Sequence, residues 1–256
     1  MISPGTPPGG GLLTRAPNGS FACMSDWPRA VLFDFDGVIV NSEPLHFHAF
    51  HEVLRDEKID LTEEEYYREL IGFDDRGGFK HMFERRGIPL TPPTFLRVMT
   101  RKSEVMRKLI QQRRFAALPG VEAFVRGLWR HYPLAICSGA LREEIETMLE
   151  GISLRDCFRM IVAAEDVTVG KPDPSGYLQT VRLMAEATRQ NLRPADCLVI
   201  EDAPNVIQNV SQVGFKVLGV STTHVAEKLG AADWCVPSLE PDVVTRQIPQ
   251  LKLMIN

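Results

Sequence analysis

The sequence has no long apolar run and no excess of one charge. No stretch of the chain approaches the roughly 18 consecutive apolar residues that a membrane-spanning helix needs. The 29 basic residues nearly balance the 33 acidic ones, and the net charge is −4. This balance gives no reason to expect nucleic acid or an anionic membrane as a partner. We expect a monomer with neither kind of partner.

Cysteine is scarce and follows no ligand pattern. The five cysteines are odd in number, their spacing matches no zinc site, and three of them lie in apolar runs. This usage favours buried, reduced thiols in a cytoplasmic protein over a disulfide framework. The cysteines are Cys23, Cys137, Cys157, Cys197 and Cys235.

Residues 1–25 have no apolar period. The segment is rich in proline and glycine, and it lacks the apolar region of a secretory signal. Segments of this composition bury too little apolar surface to fold. We therefore expect a disordered tail over residues 1–25.

Short apolar runs recur along the rest of the chain, separated by segments with helical periodicity. In one such segment, Val121, Phe124, Val125 and Leu128 share a helix face. Strands that alternate with helices predict βαβ units, and therefore a doubly wound, Rossmann-like α/β core with helices on both faces of a parallel sheet. The runs are 29–35, 134–137, 160–164, 197–200 and 216–220, with a weaker one at 234–236.

The interval from 42 to 117 interrupts this alternation. It contains helical stripes, such as the one formed by Leu45, Ala49, Phe50 and Val53, but no convincing strand. Such a long helical interval between the first two strands predicts a separate small domain. We expect a helical domain over residues 42–117 and an α/β core made of residues 26–41 and 118–256.

Polar residues follow the apolar runs where the predicted strands end. In an open parallel sheet, ligands bind at the carboxyl ends of the strands, so these residues are the candidates for a site. Their carboxylate, hydroxyl and ammonium groups suit the binding of a divalent cation together with a phosphate. The candidates are Asp34, Asp36, Ser138, Gly139, Lys171, Glu201 and Asp202.

The first two carboxylates are close enough to repel each other. Asp34 and Asp36 lie two residues apart, so their side chains would point the same way in an extended strand. A hard cation such as Mg²⁺ relieves this repulsion, and it binds through one or two carboxylates, waters and phosphate oxygens. Asp202 is the natural second carboxylate. Lys171 can neutralise phosphate charge, and the Ser138 hydroxyl and the backbone amides after it can donate to phosphate oxygens.

Four short motifs occupy these strand ends: DFDGV at 34–38, CSGA at 137–140, GKPDP at 170–174 and IEDAPNVI at 200–207. In this order they resemble the motifs of the haloacid dehalogenase superfamily of aspartate-nucleophile phosphotransferases. Each motif alone is a weak signal, but four in order, each after a strand, are specific. The helical interval after the first motif resembles the cap domain of the β-phosphoglucomutase-like phosphatase subfamily.

The resemblance implies a role for each carboxylate. Asp34 attacks phosphorus and forms an aspartyl-phosphate, while Asp36 protonates the leaving oxygen and then takes a proton from the hydrolytic water. Mg²⁺ is bound by the Asp34 carboxylate, the backbone carbonyl of Asp36 and Asp202, with Glu201 supporting it through water.

The resemblance also implies roles for cationic and cap residues. Ser138 and Lys171 hold the transferring group, whose charge needs electrostatic stabilisation. His46 and Lys102 fall where β-phosphoglucomutase has a cap-hinge histidine and a cap lysine near the active site. Arg76 is a further cap residue that could face a substrate, although a solvated helix surface is its default interpretation.

The expected function is Mg²⁺-dependent hydrolysis of a small phosphate monoester, with sugar phosphates among the candidates, beneath a cap that closes over it. The first alternative is a phosphomutase, which transfers the phosphoryl group back to a sugar hydroxyl when the cap excludes water. A non-catalytic phosphoacceptor that resembles receiver domains is a third possibility, but such domains lack a cap and a second aspartate in the first motif.

Overall fold

A parallel sheet of six strands lies at the centre of the structure, a computed structural model that describes residues 27–71, 73–113, 115–251 and 253. The predicted disordered tail, residues 1–25, lies outside the described residues. The strand order is β3-β2-β1-β4-β5-β6. The strands are β1 Ala30–Phe33, β2 Leu134–Cys137, β3 Met160–Val162, β4 Cys197–Glu201, β5 Lys216–Val220 and β6 Trp234–Val236.

The register of the central strands brings their carboxyl ends to one level. Phe33 at the end of β1 pairs with Ile136 of β2 on one side and with Ile200 of β4 on the other. The chain leaves β1 toward β2 and later returns to pair β4 with the opposite edge of β1, so the winding direction reverses at β1. Open α/β sheets bind ligands at such a switch point.

A helical insertion separates β1 from β2. Three of its helices begin at side chains that accept a backbone N–H: Thr62 from Glu65, Asp74 from Gly77, and Thr91 from Thr94. The inner faces of the helices surround an apolar cluster of their own, separate from the clusters against the sheet. The helices are α1 Glu43–Asp56, α2 Glu63–Glu69, α3 Asp75–Arg85 and α4 Pro92–Gln111.

The remaining helices cover both faces of the sheet. One face packs Phe33 against Phe124, and the other packs Leu32 in a cluster with Tyr177. Strands covered on both faces consist of consecutive apolar residues, as β1 does and as β4 does up to Ile200. These helices are α5 Val121–Trp129, α6 Arg142–Gly151, α7 Ser175–Thr188, α8 Pro204–Gln212 and α9 Pro241–Gln247.

The predicted fold class is confirmed: a doubly wound parallel core carries an inserted α-helical cap domain. Two predicted strands are shorter than their apolar runs. β1 ends before Asp34, and β3 ends at Val162 because Ala164–Asp166 forms a short 3-10 turn. The domain boundaries at residues 41/42 and 117/118 stay a prediction.

Composition gave two further expectations. Among the described residues, no helix combines the length and the apolar character needed to cross a bilayer. The described cysteines form no disulfide: Cys137, Cys157 and Cys197 are buried, and Cys235 is half-buried. Cys23 lies outside the described residues.

Candidate active site

Asp34 lies at the carboxyl end of the central strand. Its backbone N–H donates to the carbonyl of Ile200 at 2.9 Å, which extends the β1–β4 pairing by one residue and fixes the position of the carboxylate. The side chain is nearly buried, with 8% of the residue exposed. The chain then turns at Gly37, whose φ of +74° places it in the left-handed region.

Lys171 is the cationic partner of this carboxylate. Its Nζ lies 2.6 Å from Asp34 Oδ1 and 2.6 Å from Glu201 Oε1, and it also donates to the Tyr177 hydroxyl at 3.2 Å. Burial disfavours the charged amine, but the carboxylates of Asp34 and Glu201 outweigh burial and raise the pKa of Lys171. The lysine therefore carries a fixed positive charge beside Asp34.

Glu201 and Asp202 are held in place by the start of the β4–α8 connection. Glu201 Oε2 accepts the backbone N–H groups of Asp202 and Ala203 at 2.9 and 3.0 Å, and its Oε1 accepts from Lys171. Asp202 Oδ2 accepts from the Thr223 hydroxyl at 2.5 Å. Both oxygens of Glu201 are thus engaged by the protein, while Asp202 has one oxygen engaged by Thr223.

The geometry of Asp34, Glu201 and Asp202 fits a divalent cation. A carboxylate oxygen from each lies within 4.8 Å of the others, and all three residues are buried. Burial and the Glu201 charge raise the pKa of Asp34 to about 8, although Lys171 opposes them. Burial, Glu201 and Asp34 raise the pKa of Asp202 in the same way. Buried carboxylates that repel one another are the donor set that a hard cation such as Mg²⁺ stabilises.

The side chain of Asp36 points away from this cluster. It accepts a hydrogen bond from the Ser42 hydroxyl and a long one, 3.4 Å, from Ser138 Oγ, and it lies 3.4 Å from His46 Nε2. Burial opposes its charge, but His46, Ser42 and Lys102 together lower the pKa of Asp36. Any contact of Asp36 with a metal would therefore be made by its backbone carbonyl, as the family resemblance implies, and not by its carboxylate.

The second motif forms the opposite wall. The Ser138 hydroxyl accepts the backbone N–H of Ala140 at 3.0 Å, so its oxygen is fixed in direction. Gly139 lines the cavity between the core and the helical insertion. A Cβ at Gly139 would lie 3.4 Å from Asp74 of the insertion, which shows how closely the two domains approach there.

His46 and Lys102 come from different helices and meet in the insertion wall. Lys102 Nζ is 3.0 Å from His46 Nδ1 and 2.6 Å from Asp75 Oδ1, it lies 4.6 Å from the centroid of the Phe50 ring, and its side chain is 0% exposed. Burial and Lys102 disfavour a charged His46, but Asp36 outweighs them and raises the pKa of His46. The histidine therefore connects the cap lysine to Asp36.

Arg76 takes a different position from the other two cap candidates. Its Nη2 donates to the Ala164 carbonyl of the core at 2.9 Å, and its Nε lies 3.2 Å from Asp74 Oδ2. It is absent from the described residues that line the cavity. The guanidinium thus joins the insertion to the core backbone.

Sequence reasoning missed several residues that support the site. Thr223 follows the end of β5, so the rule on strand ends could have found it. Ser42 and Glu43 lie a few residues after the first motif, where the helical insertion begins. Tyr66, whose hydroxyl donates to Glu43 Oε2 at 2.7 Å, and Asp75 lie on insertion helices, and no sequence signal assigns them to the cavity.

Comparison with known proteins agrees with this geometry. The family model described as haloacid dehalogenase-like hydrolase matches residues 31–220. The chain belongs to this family. It is 26% identical over 232 residues to the protein CbbY of Rhodobacter capsulatus, covering 87% of this chain and 98% of that protein.

The chain is also similar to a second curated protein and to a solved structure. It is 29% identical over 197 residues to a phosphorylated carbohydrates phosphatase of Thermotoga maritima, covering 75% of this chain and 85% of that protein. The structure of β-phosphoglucomutase from Clostridium difficile superimposes with a TM-score of 0.72 at 22% identity, covering 83% of this chain and 92% of that one. The predicted superfamily, its β-phosphoglucomutase-like subfamily and the class of phosphoric monoester hydrolase are confirmed.

Proposed function

We propose that this enzyme is a Mg²⁺-dependent phosphatase that hydrolyses a small phosphate monoester through an aspartyl-phosphate on Asp34. The observation that carries the proposal is the position of the Asp34 carboxylate, between the Lys171 ammonium at 2.6 Å and the acidic cluster completed by Glu201 and Asp202. A nucleophilic oxygen beside both a fixed cation and a cation site suits attack on an anionic phosphate. The name of the Thermotoga relative supports a phosphorylated carbohydrate as the kind of substrate.

Attack would proceed by displacement at phosphorus. An Asp34 oxygen forms a bond to phosphorus as the bond from phosphorus to the ester oxygen breaks, and water later cleaves the acyl phosphate and releases inorganic phosphate. Lys171, the hydroxyl of Ser138 and the backbone amide of Gly139 would hold the equatorial oxygens of the phosphoryl group during its transfer. Asp34 and Asp202 would hold Mg²⁺, with Glu201 orienting the shell around it, and the bound ion would neutralise phosphate charge.

Asp36 would move the protons. Its lowered pKa keeps a carboxylate ready to accept a proton from the attacking water. Protonation of the leaving alcohol needs the acid form, and an approaching anionic phosphate favours that form because a nearby negative charge raises a carboxyl pKa. His46, 3.4 Å away, is placed to stabilise the carboxylate form.

The experiment compares two aspartate variants. With Mg²⁺ and p-nitrophenyl phosphate or hexose monophosphates, the wild type should release inorganic phosphate, and EDTA should stop it. Asp34→Asn should lower the rate by about a thousandfold or more, because an amide cannot attack phosphorus. Asp156→Asn removes an exposed carboxylate of the core and should leave the rate unchanged. An Asp34→Asn rate within about tenfold of wild type would overturn the nucleophile assignment.

A phosphomutase is the second candidate, favoured by the β-phosphoglucomutase neighbour and by the His46–Lys102 contact. The same assay separates the two functions. After priming with a hexose bisphosphate, a mutase interconverts hexose phosphate isomers faster than it releases phosphate. We expect phosphate release to match substrate loss.

We also propose that the protein acts as a cytoplasmic monomer without nucleic acid or membrane partners, and that residues 42–117 form the closing cap.

A further inference from the structure

The wall that the helical insertion presents to the cavity is acidic and apolar. The charged or polar side chains it contributes are Glu43, His46, Tyr66 and Asp75, and apolar side chains such as Phe50 fill the space between them. The phosphate of a substrate would lie on the core side, beside Lys171 and Ser138. The alcohol portion of the substrate would therefore face this insertion wall.

The cations near that wall already have partners. Lys102 Nζ lies 2.6 Å from Asp75 Oδ1, and the lysine side chain is 0% exposed. The guanidinium of Arg76 is bonded to Asp74 and to the Ala164 carbonyl. Among the described residues that line the cavity, only His46 and Lys171 can carry positive charge. Among the described insertion residues that line the cavity, a second anionic group on the substrate would find no lysine or arginine.

Asp75 is the carboxylate that such a group would meet. Its side chain is 21% exposed and lines the cavity, while its Oδ1 is bound to Lys102. Glu43 is the weaker repelling group, because burial raises the pKa of its carboxyl and favours the neutral form, which donates to or accepts from a hydroxyl. Carboxylates are good acceptors for the O–H groups of an alcohol, and they repel a second phosphate or carboxylate.

We infer, on the basis of the proposed phosphatase function, that the substrate is a phosphate monoester of an uncharged, hydroxyl-bearing alcohol, and that Asp75 is the residue that excludes bisphosphates and phosphorylated acids. The Asp75 carboxylate would repel a second anion, and no lysine or arginine among the described insertion residues that line the cavity would attract it. This selection acts on recognition of the alcohol portion and not on the reaction at phosphorus.

The test measures kcat/KM with Mg²⁺ on matched pairs: fructose 1-phosphate against fructose 1,6-bisphosphate, and glucose 6-phosphate against 6-phosphogluconate. The wild type should prefer the monophosphate of each pair by about tenfold or more, because like-charge contacts in a specific site are strongly unfavourable. Asp75→Asn removes the negative charge and weakens the contact with Lys102. It should therefore lower the ratio of kcat/KM for the monophosphate to kcat/KM for its doubly anionic partner by about tenfold. Asp75→Glu keeps the charge and should retain the preference.

Each outcome has one meaning. Asp60→Asn, an exposed carboxylate elsewhere on the insertion, should leave the ratio unchanged. A loss of packing at Asp75 would lower both rates of a pair together, whereas a selectivity role moves their ratio. Equal turnover of both members by the wild type, or an unchanged ratio in Asp75→Asn, overturns this inference and leaves the phosphatase proposal standing. Absence of phosphate release from every compound overturns the phosphatase proposal and this inference with it.

Discussion

Neighbouring charges give the buried carboxyl groups of this enzyme different charge states. Asp36 has a lowered pKa because His46, Ser42 and Lys102 outweigh its burial. Asp34 has a raised pKa because burial and Glu201 outweigh Lys171. These opposite shifts support the roles proposed above, proton transfer for Asp36 and a place beside a divalent cation for Asp34, although the two residues are only two apart in the chain.

Glu144, at the start of α6, provides a test of buried charge away from the candidate ligands. Burial raises its pKa from 4.5 to about 7. The negative charges of Asp75 and Asp36 also raise this pKa, whereas Lys102 and His46 lower it. Between about pH 4.5 and pH 7, Glu144 has lost its proton in the unfolded chain but keeps it in the folded protein. The free energy of unfolding should therefore fall as pH rises from about 4.5 to about 7 and then level off.

Glu144→Gln removes this penalty. At about pH 8 the variant should be more stable than the wild type by about 3 kcal/mol, and the difference should shrink toward about pH 5. Urea unfolding at several pH values measures it. Glu143→Gln is the control. The Glu143 side chain is 69% exposed, so this variant should show no such pH-dependent difference in stability. A stability gap for Glu144→Gln that is independent of pH would contradict the prediction.

The turn after β1 is the element on which the site depends most. Gly37 has a φ of +74°, and a Cβ there would collide with the Asp202 carboxylate and lie 3.0 Å from Thr223 Cγ2. The Thr222 hydroxyl also donates to the Gly37 carbonyl at 2.5 Å. The first and fourth motifs can therefore approach closely only because residue 37 has no side chain.

Gly37→Ala should cost both stability and activity. The left-handed backbone alone costs an alanine about 1 kcal/mol, and displacement of Asp202 adds to it, so we expect a loss of about 2 to 4 kcal/mol and a large fall in rate. Gly87→Ala is the matched control: its φ is +64°, but nothing lies within 4 Å of an added Cβ. Thermal unfolding and phosphate release measure both variants. Equal effects of the two substitutions would show that the close approach to Asp202 is unimportant.

The sequence predicts the strands of the core better than it predicts the contacts that the helical insertion makes. Apolar runs and the polar residues after them locate β1, β4 and the carboxylates of Asp34 and Asp202, because the ends of parallel strands meet at one edge of the sheet. The docking of the insertion depends on long-range packing, since α1 and α4 bury side chains such as Leu45 and Met106 in the same apolar cluster as β1. The positions of Tyr66 and Asp75 in the cavity follow from that packing, and no local pattern encodes them.

At the scale of the whole molecule, the helical insertion and the core together line the cavity of the candidate site. Asp74, at the start of α3, lies against Gly139 and Gly170, where any larger residue would collide with it or press on it. Arg76 in the same helix donates to the carbonyl of Ala164. In the cap closure proposed above, these contacts would hold the closed form and would separate to admit a substrate. We therefore expect them to set the balance between closed and open forms.

Arg76→Gln should shift that balance toward the open form. Its guanidinium is 34% exposed, so the lost bond to the Ala164 carbonyl is worth about 1 kcal/mol, which corresponds to a roughly fivefold fall in kcat/KM. The melting temperature should change little, because the substitution removes no side chain from the apolar clusters. Amide hydrogen exchange at residues 73–77 should become faster. Arg126→Gln is the control, since this arginine bonds a backbone carbonyl, that of Ser153 at 2.9 Å, entirely within the core. If both substitutions lower kcat/KM equally, or if Arg76→Gln leaves it unchanged, the contact does not control closure.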